Sequence, residues 1–369
     1  MLNYFPTALA LGEAFCNRKD ELNRIHYNLK GNTPILLISP RRYGKTSLAL
    51  KSCETIKWPY VHVDLYKALS SNDIEQYILQ GIGQLLGKLE STPSKLLKIA
   101  SDYFASMQIK VVLEKAGIKL EFDSRNTSAT ETILQSLEKL HAIAIKQNKK
   151  IILFLDEFQV VGEVTHDHAI EAVIREVAQK STHIAYMFSG SNRHLMEQMF
   201  YDRKRPFYKL CDQIKVDRIA AKEYEKYINL AAQTTWNSEL DPDTLNAIFS
   251  ATELHPYYVN KLCSFLWQSK KIPSKQDVWQ AWQQIRLENK SIIEGELELL
   301  SLNQRKLLIF LATHETKELF GKKASQDINL TPSSTKRALE TLIEKDYVYV
   351  DKDNCYRILD PLIKSVLTA

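Results

Sequence analysis

The sequence predicts an α/β core with a doubly wound parallel sheet, followed by an all-helical region and a short module of helices with one β-hairpin. Three observations support this fold class. One apolar segment, Ile35 to Ile38, runs straight into a Gly-Lys-Thr turn and a helix, and a second, Lys150 to Leu155, ends in two adjacent carboxylates. From Ala220 to about Leu299 the apolar residues recur only at helical spacing. Apolar runs that alternate with helices are typical of buried parallel strands, whose carboxyl ends carry the ligand site.

The turn after Ile38 has the composition of a phosphate-binding loop. Backbone N–H groups around Gly44 and Lys45, at the positive end of the next helix, form a concave site that suits a β-phosphate. We expect Lys45 to neutralise the β- and γ-phosphate oxygens and Thr46 to offer its hydroxyl to Mg²⁺. Ser39 replaces the first glycine of the usual pattern, at a position that needs only a small residue able to turn. The predicted nucleotide-binding residues here are Ser39, Pro40, Arg41, Arg42, Tyr43, Gly44, Lys45, Thr46 and Ser47.

The second apolar segment ends in Asp156 and Glu157 and has the form of a Walker B strand. We expect Asp156, at the carboxyl end of the strand beside the phosphate loop, to hold Mg²⁺, usually through water. Glu157 is then placed to orient and deprotonate the attacking water, which implies hydrolysis and not binding alone. The catalytic candidates are therefore Lys45, Asp156 and Glu157. The alternative is a solvated acidic pair at the end of a strand.

A capped amphipathic helix is predicted before the phosphate loop, with its stop at Gly31 and Asn32. Its amino-terminal end places Asn17 and Arg18 where they could face the nucleotide base. The alternative, slightly favoured on spacing alone, is a packing helix whose Arg18 is solvated.

After the loop helix, Tyr60 to Leu65 is predicted to be a second strand of the sheet. The region from about residue 70 to 127 is interpreted as an insertion of unclear purpose. Its predicted elements are two helices, Ser70 to Gly87 and Ser94 to Glu114, and an exposed strand or hairpin arm, Gly117 to Phe122.

The segment Ile184 to Phe188 is predicted to be a strand beside the Walker B strand. Ser189 and Ser191, just beyond its end, could reach a γ-phosphate and distinguish triphosphate from diphosphate by hydrogen bonding. A simple turn that starts a loop is an equally good interpretation. Arginines that could contact the γ-phosphate follow nearby, although a solvated basic loop is the preferred interpretation of each; they are Arg193, Arg203 and Arg205.

Two further regions complete the predicted domain organisation: core at 1–218, helical lid at 219–299 and winged helix at 300–369. The lid is interrupted before Pro256, where one helix ends and another begins. The last region has helices followed by a β-hairpin, the order expected of a winged helix. If DNA is bound, Lys336 and Arg337 on its second predicted helix would contact phosphates or base edges. A protein-contact module is the alternative.

The overall composition excludes several classes of protein. A chain of 369 residues with 44% hydrophobic and 25% charged residues is neither disordered nor a single domain. Its five cysteines form no Cys-x-x-Cys pair, so neither a disulfide framework nor a zinc site is expected. No apolar run approaches the roughly 20 residues needed to cross a bilayer, and we expect a cytoplasmic protein. The net charge of +5 permits DNA binding without arguing for it.

Taken together, these motifs resemble the archaeal-type ATPases of the STAND group, across nearly the whole chain. The most specific element is Pro-Arg-Arg-x-Gly-Lys-Thr-Ser-Leu; the other matching elements are Asn17-Arg18, Asp156-Glu157-Phe158-Gln159, Ser189-Gly190-Ser191, His255-Pro256-Tyr257-Tyr258 and Asp360-Pro361. The resemblance implies an AAA+-like core, a lid and a winged helix that act as a nucleotide switch. It also implies that Asn17 and Arg18 contribute to base binding and that Pro256 belongs to the motif closing over the nucleotide.

This sequence departs from the family pattern at Ser39, at Leu254, which replaces the glycine before His-Pro, and at Lys209-Leu210, where Gly-Arg is frequent. The last difference leaves the source of a γ-phosphate arginine open, so we expect slow turnover.

The leading functional prediction is an ATP- and Mg²⁺-dependent hydrolase. It would act as a switch that controls a protein partner or a homo-oligomer. The alternative is a nucleotide-regulated DNA-binding protein similar in layout to origin-recognition ATPases. A small-molecule kinase is disfavoured by the Asp156-Glu157 pair and by the lack of an acceptor-site motif.

Overall fold

The computed structural model describes residues 3–104, 109–114, 117–122, 128–165, 167–314 and 316–369. The chain divides into two compact units. The first is Arg18–Asp217, and the second combines the residues before Arg18 with those from Arg218 onward.

The first unit, which we call the core unit, alternates helices with strands as predicted. Its helices are α1 (Lys19–Lys30), α2 (Lys45–Ile56), α3 (Ser71–Leu89), α4 (Pro93–Phe104), α5 (Ala129–Lys146), α6 (Gln159–Val164), α7 (Ala169–Lys180) and α8 (Arg193–Tyr201). Its strands are β1 (Ile35–Ile38), β2 (Tyr60–Asp64), β3 (Ile109–Glu114), β4 (Gly117–Phe122), β5 (Ile151–Asp156), β6 (Ile184–Gly190) and β7 (Asp212–Lys215).

Five of these strands form a wholly parallel sheet in the order β2-β5-β6-β1-β7. Every residue of β1, β5 and β6 is buried, which accounts for their continuous apolar sequences. Strand β6 lies between β1 and β5, with Ile38 opposite Gly190 and Leu155 opposite Phe188. The carboxyl ends of these three strands therefore meet at one edge of the sheet, as the predicted fold class requires.

The region predicted as an insertion differs from expectation in two respects. Helix α3 contributes Ile74, Ile78 and Ile82 to the main hydrophobic core, so it is an integral packing element. Residues 109–114, predicted to continue a helix, instead form β3 and pair antiparallel with β4. Their β-branched, apolar composition suits either state, and pairing with β4 decides it. Parts of the predicted insertion, residues 105–108, 115, 116 and 123–127, lie outside the described residues.

The second unit, the helical unit, contains the predicted lid and winged helix. Its elements are a 3₁₀ turn (Gly12–Ala14), α9 (Ala221–Trp236), α10 (Pro242–Thr252), α11 (Pro256–Leu266), α12 (Lys275–Glu298), α13 (Leu302–Thr313), α14 (Lys322–Ile328), α15 (Pro332–Glu344), β8 (Val348–Val350), β9 (Tyr356–Ile358) and α16 (Pro361–Leu367). The β8–β9 hairpin follows α15, in the order predicted for a winged helix. Helices α14 and α16 are short and were not predicted.

The break between α10 and α11 is confirmed. Glu253 and Leu254 both have positive φ values, +47° and +59°, and Pro256 opens α11, where its missing N–H costs nothing. A helix cannot continue through two left-handed residues, so the chain turns here.

The amino-terminal segment lies in the helical unit, although the sequence placed it with the core at 1–218. The Phe5 side chain is 2% exposed and packs edge-on against Trp267, with ring centroids 4.6 Å apart. Asn260 Nδ2 donates to the Pro6 carbonyl at 2.9 Å. These aromatic and polar contacts are the physical reason for the difference.

Within the described residues, no helix combines the length and apolar character needed to cross a membrane.

Candidate functional site

The phosphate-binding loop connects β1 to α2 at the carboxyl edge of the sheet. Gly44 has φ +86°, a left-handed conformation that a glycine adopts without strain, and α2 begins at the next residue. Arg41 and Arg42 are exposed, whereas Tyr43 is buried. The loop therefore has the strand–turn–helix geometry that presents backbone N–H groups to an anion.

Lys45 is buried in this loop, with 6% of its surface exposed. Its Nζ donates to the Ser39 carbonyl at 2.9 Å, to Ser39 Oγ at 3.2 Å and to the Pro40 carbonyl at 3.2 Å. Ser39, the residue that replaces the usual glycine, is thus a direct partner of the ammonium group. The loop oxygens hold a buried positive charge at the position where a phosphate would need it.

Asp156, the last residue of β5, lies beside the first turn of α2. Thr46 Oγ1 donates to its Oδ2 at 2.7 Å, and His62 Nε2 lies 3.1 Å from the same oxygen. Its Oδ1 accepts from Ser189 Oγ and from the Glu157 N–H, the latter at 3.0 Å. The structure therefore brings the two predicted motifs into direct contact.

Burial by itself raises the pKa of Asp156, but hydrogen bonds from His62, Ser189 and Thr46 lower it. The net result is a pKa below the ordinary value. The carboxylate therefore stays ionised although only 4% of its surface is exposed. His62 was not identified from the sequence; its place within the second predicted strand was the only available signal.

The Thr46 hydroxyl and the Asp156 carboxylate fit a magnesium ion by their chemistry. Mg²⁺ prefers oxygen ligands and usually takes only one or two from the protein, the rest coming from phosphates and water. Two adjacent oxygen donors, one of them ionised, match this requirement. Within the part of the chain that the structure describes, no group of three or more histidines, cysteines or carboxylates could hold a metal on its own.

Glu157 follows Asp156 with φ +51°, a strained conformation for a glutamate. Its Oε2 accepts two hydrogen bonds, from Ser191 Oγ at 2.7 Å and from Gln159 Nε2 at 2.6 Å. Ser189 and Ser191, predicted to contact a γ-phosphate, each donate to a carboxylate here. Their role as phosphate sensors remains a prediction. Gln159 was part of the family resemblance, but no role was assigned to it.

Arg18 is 6% exposed, so the prediction of a solvated side chain is wrong. Its Nη2 donates to the Tyr43 carbonyl in the phosphate loop at 3.1 Å, and its Nη1 contacts Glu21 at 3.0 Å. The guanidinium thus supports the loop from the start of α1. Asn17 and Pro256, predicted with Arg18 to bind the nucleotide, belong to the helical unit, and their role remains a prediction.

The segment after α8 is not a uniformly solvated basic loop. Arg205 Nη2 contacts Glu171 at 2.6 Å, and the Glu171 side chain is fully buried. Burial raises the pKa of Glu171, and the charge of Arg205 opposes that shift. Lys209 has φ +55°, a conformation that a glycine adopts without strain, and Leu210 packs partly buried against the core. Leu210 therefore offers no positive charge to a phosphate.

Lys336 and Arg337 lie on the exposed face of α15. Lys336 Nζ is 4.0 Å from Glu340, one turn further along, so the basic face also carries acidic groups.

Comparison with known proteins agrees with this geometry. Residues 15–262 match the family described as "ATPase domain predominantly from Archaea", and residues 294–369 match "Probable winged helix domain". The first match covers more than half of the chain, which therefore belongs to this ATPase-domain family and carries a carboxyl-terminal winged helix. No curated protein sequence matches it significantly.

Several solved structures share the fold. A Walker-type ATPase of Pyrococcus abyssi is 18% identical with a TM-score of 0.69, and the match covers 100% of both chains. The ORC2 protein of Aeropyrum pernix, solved as ADPNP-ADP complexes, is 14% identical with a TM-score of 0.57, covering 95% of this chain and 93% of the other. Its ADP form gives 13% identity and a TM-score of 0.52, covering 95% and 92%. These similarities agree with the fold described above: an α/β core with a parallel sheet, followed by helices and a carboxyl-terminal winged helix.

Proposed function

We propose that the protein is a slow, Mg²⁺-dependent ATP hydrolase that acts as a molecular switch. The carrying observation is the direct contact between the phosphate loop and the Walker B carboxylates, with Thr46 Oγ1 2.7 Å from Asp156. Asp156 is held ionised although it is buried, and a carboxylate with a lowered pKa beside a phosphate loop has the charge that a magnesium–nucleotide complex needs. The ADPNP-ADP complexes of the Aeropyrum pernix protein support the choice of an adenine nucleotide.

Each residue has a defined part in this proposal. Lys45 leaves the Ser39 and Pro40 carbonyls and neutralises the β/γ-phosphate charge, while the backbone around Gly44 cradles the β-phosphate. Thr46 and Asp156 would hold Mg²⁺, which supplies charge stabilisation to the phosphates. Glu157 would orient and deprotonate the attacking water. Asn17 and Arg18 would contribute to binding of the base, Pro256 would belong to the lid motif for the nucleotide, and Ser189 and Ser191 would respond to the γ-phosphate.

Slow turnover is part of the proposal because the source of an arginine for the γ-phosphate is open. Leu210 occupies the position where relatives often have arginine, and Arg205 is tied to the buried Glu171. An arginine that stabilises the transition state accelerates phosphoryl transfer by about 10³- to 10⁵-fold. In the switch, the nucleotide state would set the arrangement of the lid and winged helix and thereby control a protein partner or a homo-oligomer in the cytoplasm.

Phosphate release from MgATP tests the proposal. We expect Lys45→Ala and Glu157→Gln to lose at least about tenfold in turnover, with Glu157→Gln retaining ATP, because a general base contributes about 10²- to 10⁴-fold. Lys51→Ala, on the same helix as Lys45, is the matched control and should behave as wild type. Equal turnover in wild type and in both site variants would reject hydrolysis at this site.

A second candidate, nucleotide-regulated DNA binding, is favoured by the exposure of Lys336 and Arg337 on α15. If α15 contacts DNA, Lys336→Ala/Arg337→Ala should weaken binding and reduce its salt dependence, because each phosphate contact releases a counterion. Gel shifts at several salt concentrations, with Glu340→Gln as a control that removes the opposing charge, measure this. Unchanged affinity in the double variant would exclude α15 as the DNA contact.

A further inference from the structure

The Glu157 carboxylate is held by two side chains: Gln159, to which no role is assigned above, and Ser191, which is proposed above only as a contact for the γ-phosphate. Gln159 Nε2 and Ser191 Oγ both donate to the same oxygen, Oε2, at 2.6 and 2.7 Å. Gln159 is 4% and Ser191 5% exposed, so both contacts are shielded from bulk water. The two donors reach Glu157 from different elements, since Gln159 opens α6 and Ser191 follows β6. They therefore fix the direction of the carboxylate as well as its position.

The packing around Gln159 keeps this side chain in one place. A Cβ atom added at Gly190 would come within 2.6 Å of Gln159 Oε1, so a larger residue there would displace the amide. On the other side, Phe158 is fully buried, and its N–H donates to the Ser189 carbonyl at 2.8 Å. Its ring also packs against Phe188, with ring centroids 4.8 Å apart. The backbone that carries Glu157 and Gln159 is thus anchored to β6.

Gln159 is also a poor choice for packing alone. Its Oε1 is buried and has no hydrogen-bond partner among the residues that the structure describes. Leaving a buried carbonyl unpaired destabilises the folded state, whereas an apolar side chain of similar size would avoid that penalty. A buried polar atom without a partner is expected where function requires a particular side chain. Here the required group is the donor Nε2 of Gln159.

We propose that Gln159, together with Ser191, is a positioning residue for the general base. By engaging Oε2, the two donors leave Oε1 of Glu157 as the oxygen that accepts the proton from the attacking water. This inference rests on the hydrolysis proposed above and adds the residues that orient its base. A misplacement of about 1 Å at a reacting group can lower the reaction rate roughly 10²-fold. Loss of these donors should therefore lower the rate of the chemical step.

Steady-state hydrolysis and nucleotide affinity test the proposal in the full chain. Gln159→Glu keeps the shape of the side chain but replaces the donor by an acceptor, and Ser191→Ala removes the second donor. We expect Gln159→Glu to lower kcat by about ten- to a hundredfold and Ser191→Ala by a smaller factor, each with the Kd for ATP within about twofold of wild type. Gln179→Leu, an exposed glutamine on α7, is the control.

The decisive measurement repeats the substitution in the Glu157→Gln background. If Gln159 acts through Glu157, Gln159→Glu should have no further effect on the residual rate there, because groups that act as a unit are not additive. An independent loss in that background, a weakened Kd with unchanged kcat, or a rise in kcat would each overturn the proposal. Gln159→Leu, which removes the donor without adding a charge, is measured in the same way and should give the same pattern. The test then does not depend on the folding of a single variant.

Failure of the underlying function is distinguishable from failure of this inference. If wild-type hydrolysis is not lost in Lys45→Ala, the proposed function and this inference both fall. If hydrolysis depends on Lys45 and Glu157 but not on Gln159, only the positioning role is refuted.

Discussion

At the scale of single residues, Asp156 contacts side chains from more elements than its neighbours in the site do: it contacts α2, β2 and β6. Four donors converge on its two oxygens, one from a helix, two from strands other than its own and one from the residue that follows it: Thr46, His62, Ser189 and the Glu157 N–H. Hydrogen bonds to the charged form of a carboxylate offset the cost of burying it. The Asp156 carboxylate is therefore fixed in position and ionised without any ligand, and the proposed hydrolysis would need such preorganisation.

The low pKa of Asp156 predicts a pH dependence of stability. The folded-state pKa lies below the ordinary value of 3.8, so the ionised group favours folding above that pH, and the contribution disappears as the pH falls through the folded value. In metal-free buffer, we expect wild type to lose more stability between about pH 5 and pH 3 than Asp156→Asn, which has no proton to gain there. Urea unfolding at several pH values measures the two slopes. If the free energy of unfolding falls equally with pH in wild type and in Asp156→Asn, the pKa of Asp156 is not lowered by folding.

At the scale of secondary-structure elements, left-handed residues mark where segments end. Glu253 and Leu254 stop α10 before the lid motif, and Lys209 lies between Phe207 and β7. Two basic side chains fix the turn at Glu253. Arg218 Nη1 donates to the Glu253 carbonyl at 2.7 Å, and Lys364 Nζ donates to the Glu253 carboxylate at 2.8 Å. Side chains thus hold a conformation that a glycine would adopt freely.

Lys209 allows this strain to be measured, because its side chain is exposed and φ is +55°. Relief of the left-handed strain should exceed the entropy cost of glycine, and we expect Lys209→Gly to stabilise the core unit by about 0.5–1 kcal/mol. Thermal or urea unfolding checks this. Lys204→Gly, in the same loop but without positive φ, should be neutral or destabilising. Stabilisation of equal size in both variants would count against the argument.

At the scale of the whole molecule, the amino-terminal segment and the carboxyl-terminal half form one unit. Tyr4 and Phe5 join the hydrophobic core of the helical unit, together with residues from the predicted lid and winged helix. Tyr258 OH, on α11, donates to Asp360 at 2.8 Å, and Asp360 in turn caps α16. The predicted lid and winged helix therefore share one hydrophobic core.

Truncation of Phe5 tests this organisation. Because the Phe5 side chain is buried against Trp267, Phe5→Ala should destabilise the helical unit by about 3–5 kcal/mol. Amide hydrogen exchange should show lost protection in α9 and α11, with little change in β1, β5 and β6. Leu9→Ala, at a half-exposed position in the same segment, should have little effect. Equal loss of protection in the sheet would mean that the segment stabilises the core unit instead.

The sequence by itself determined the strand, turn and helix of residues 35–56, the buried strand that ends in Asp156, and the order of α/β core, helical region and winged helix. Each of these features lies in one continuous segment of the sequence. Strands, turns and helices can be predicted from such segments by their periodicity and turn residues. Only the tertiary structure decided which donors converge on the carboxylates, since that depends on strand order: β6 between β1 and β5 brings Ser189 to Asp156 and Ser191 to Glu157. The buried Arg18, the β3–β4 hairpin and the place of Phe5 were decided in the same way. These contacts join residues that are far apart in the sequence, so they form only when the folded chain packs its strands and helices together. Local sequence patterns do not show which distant side chains will meet.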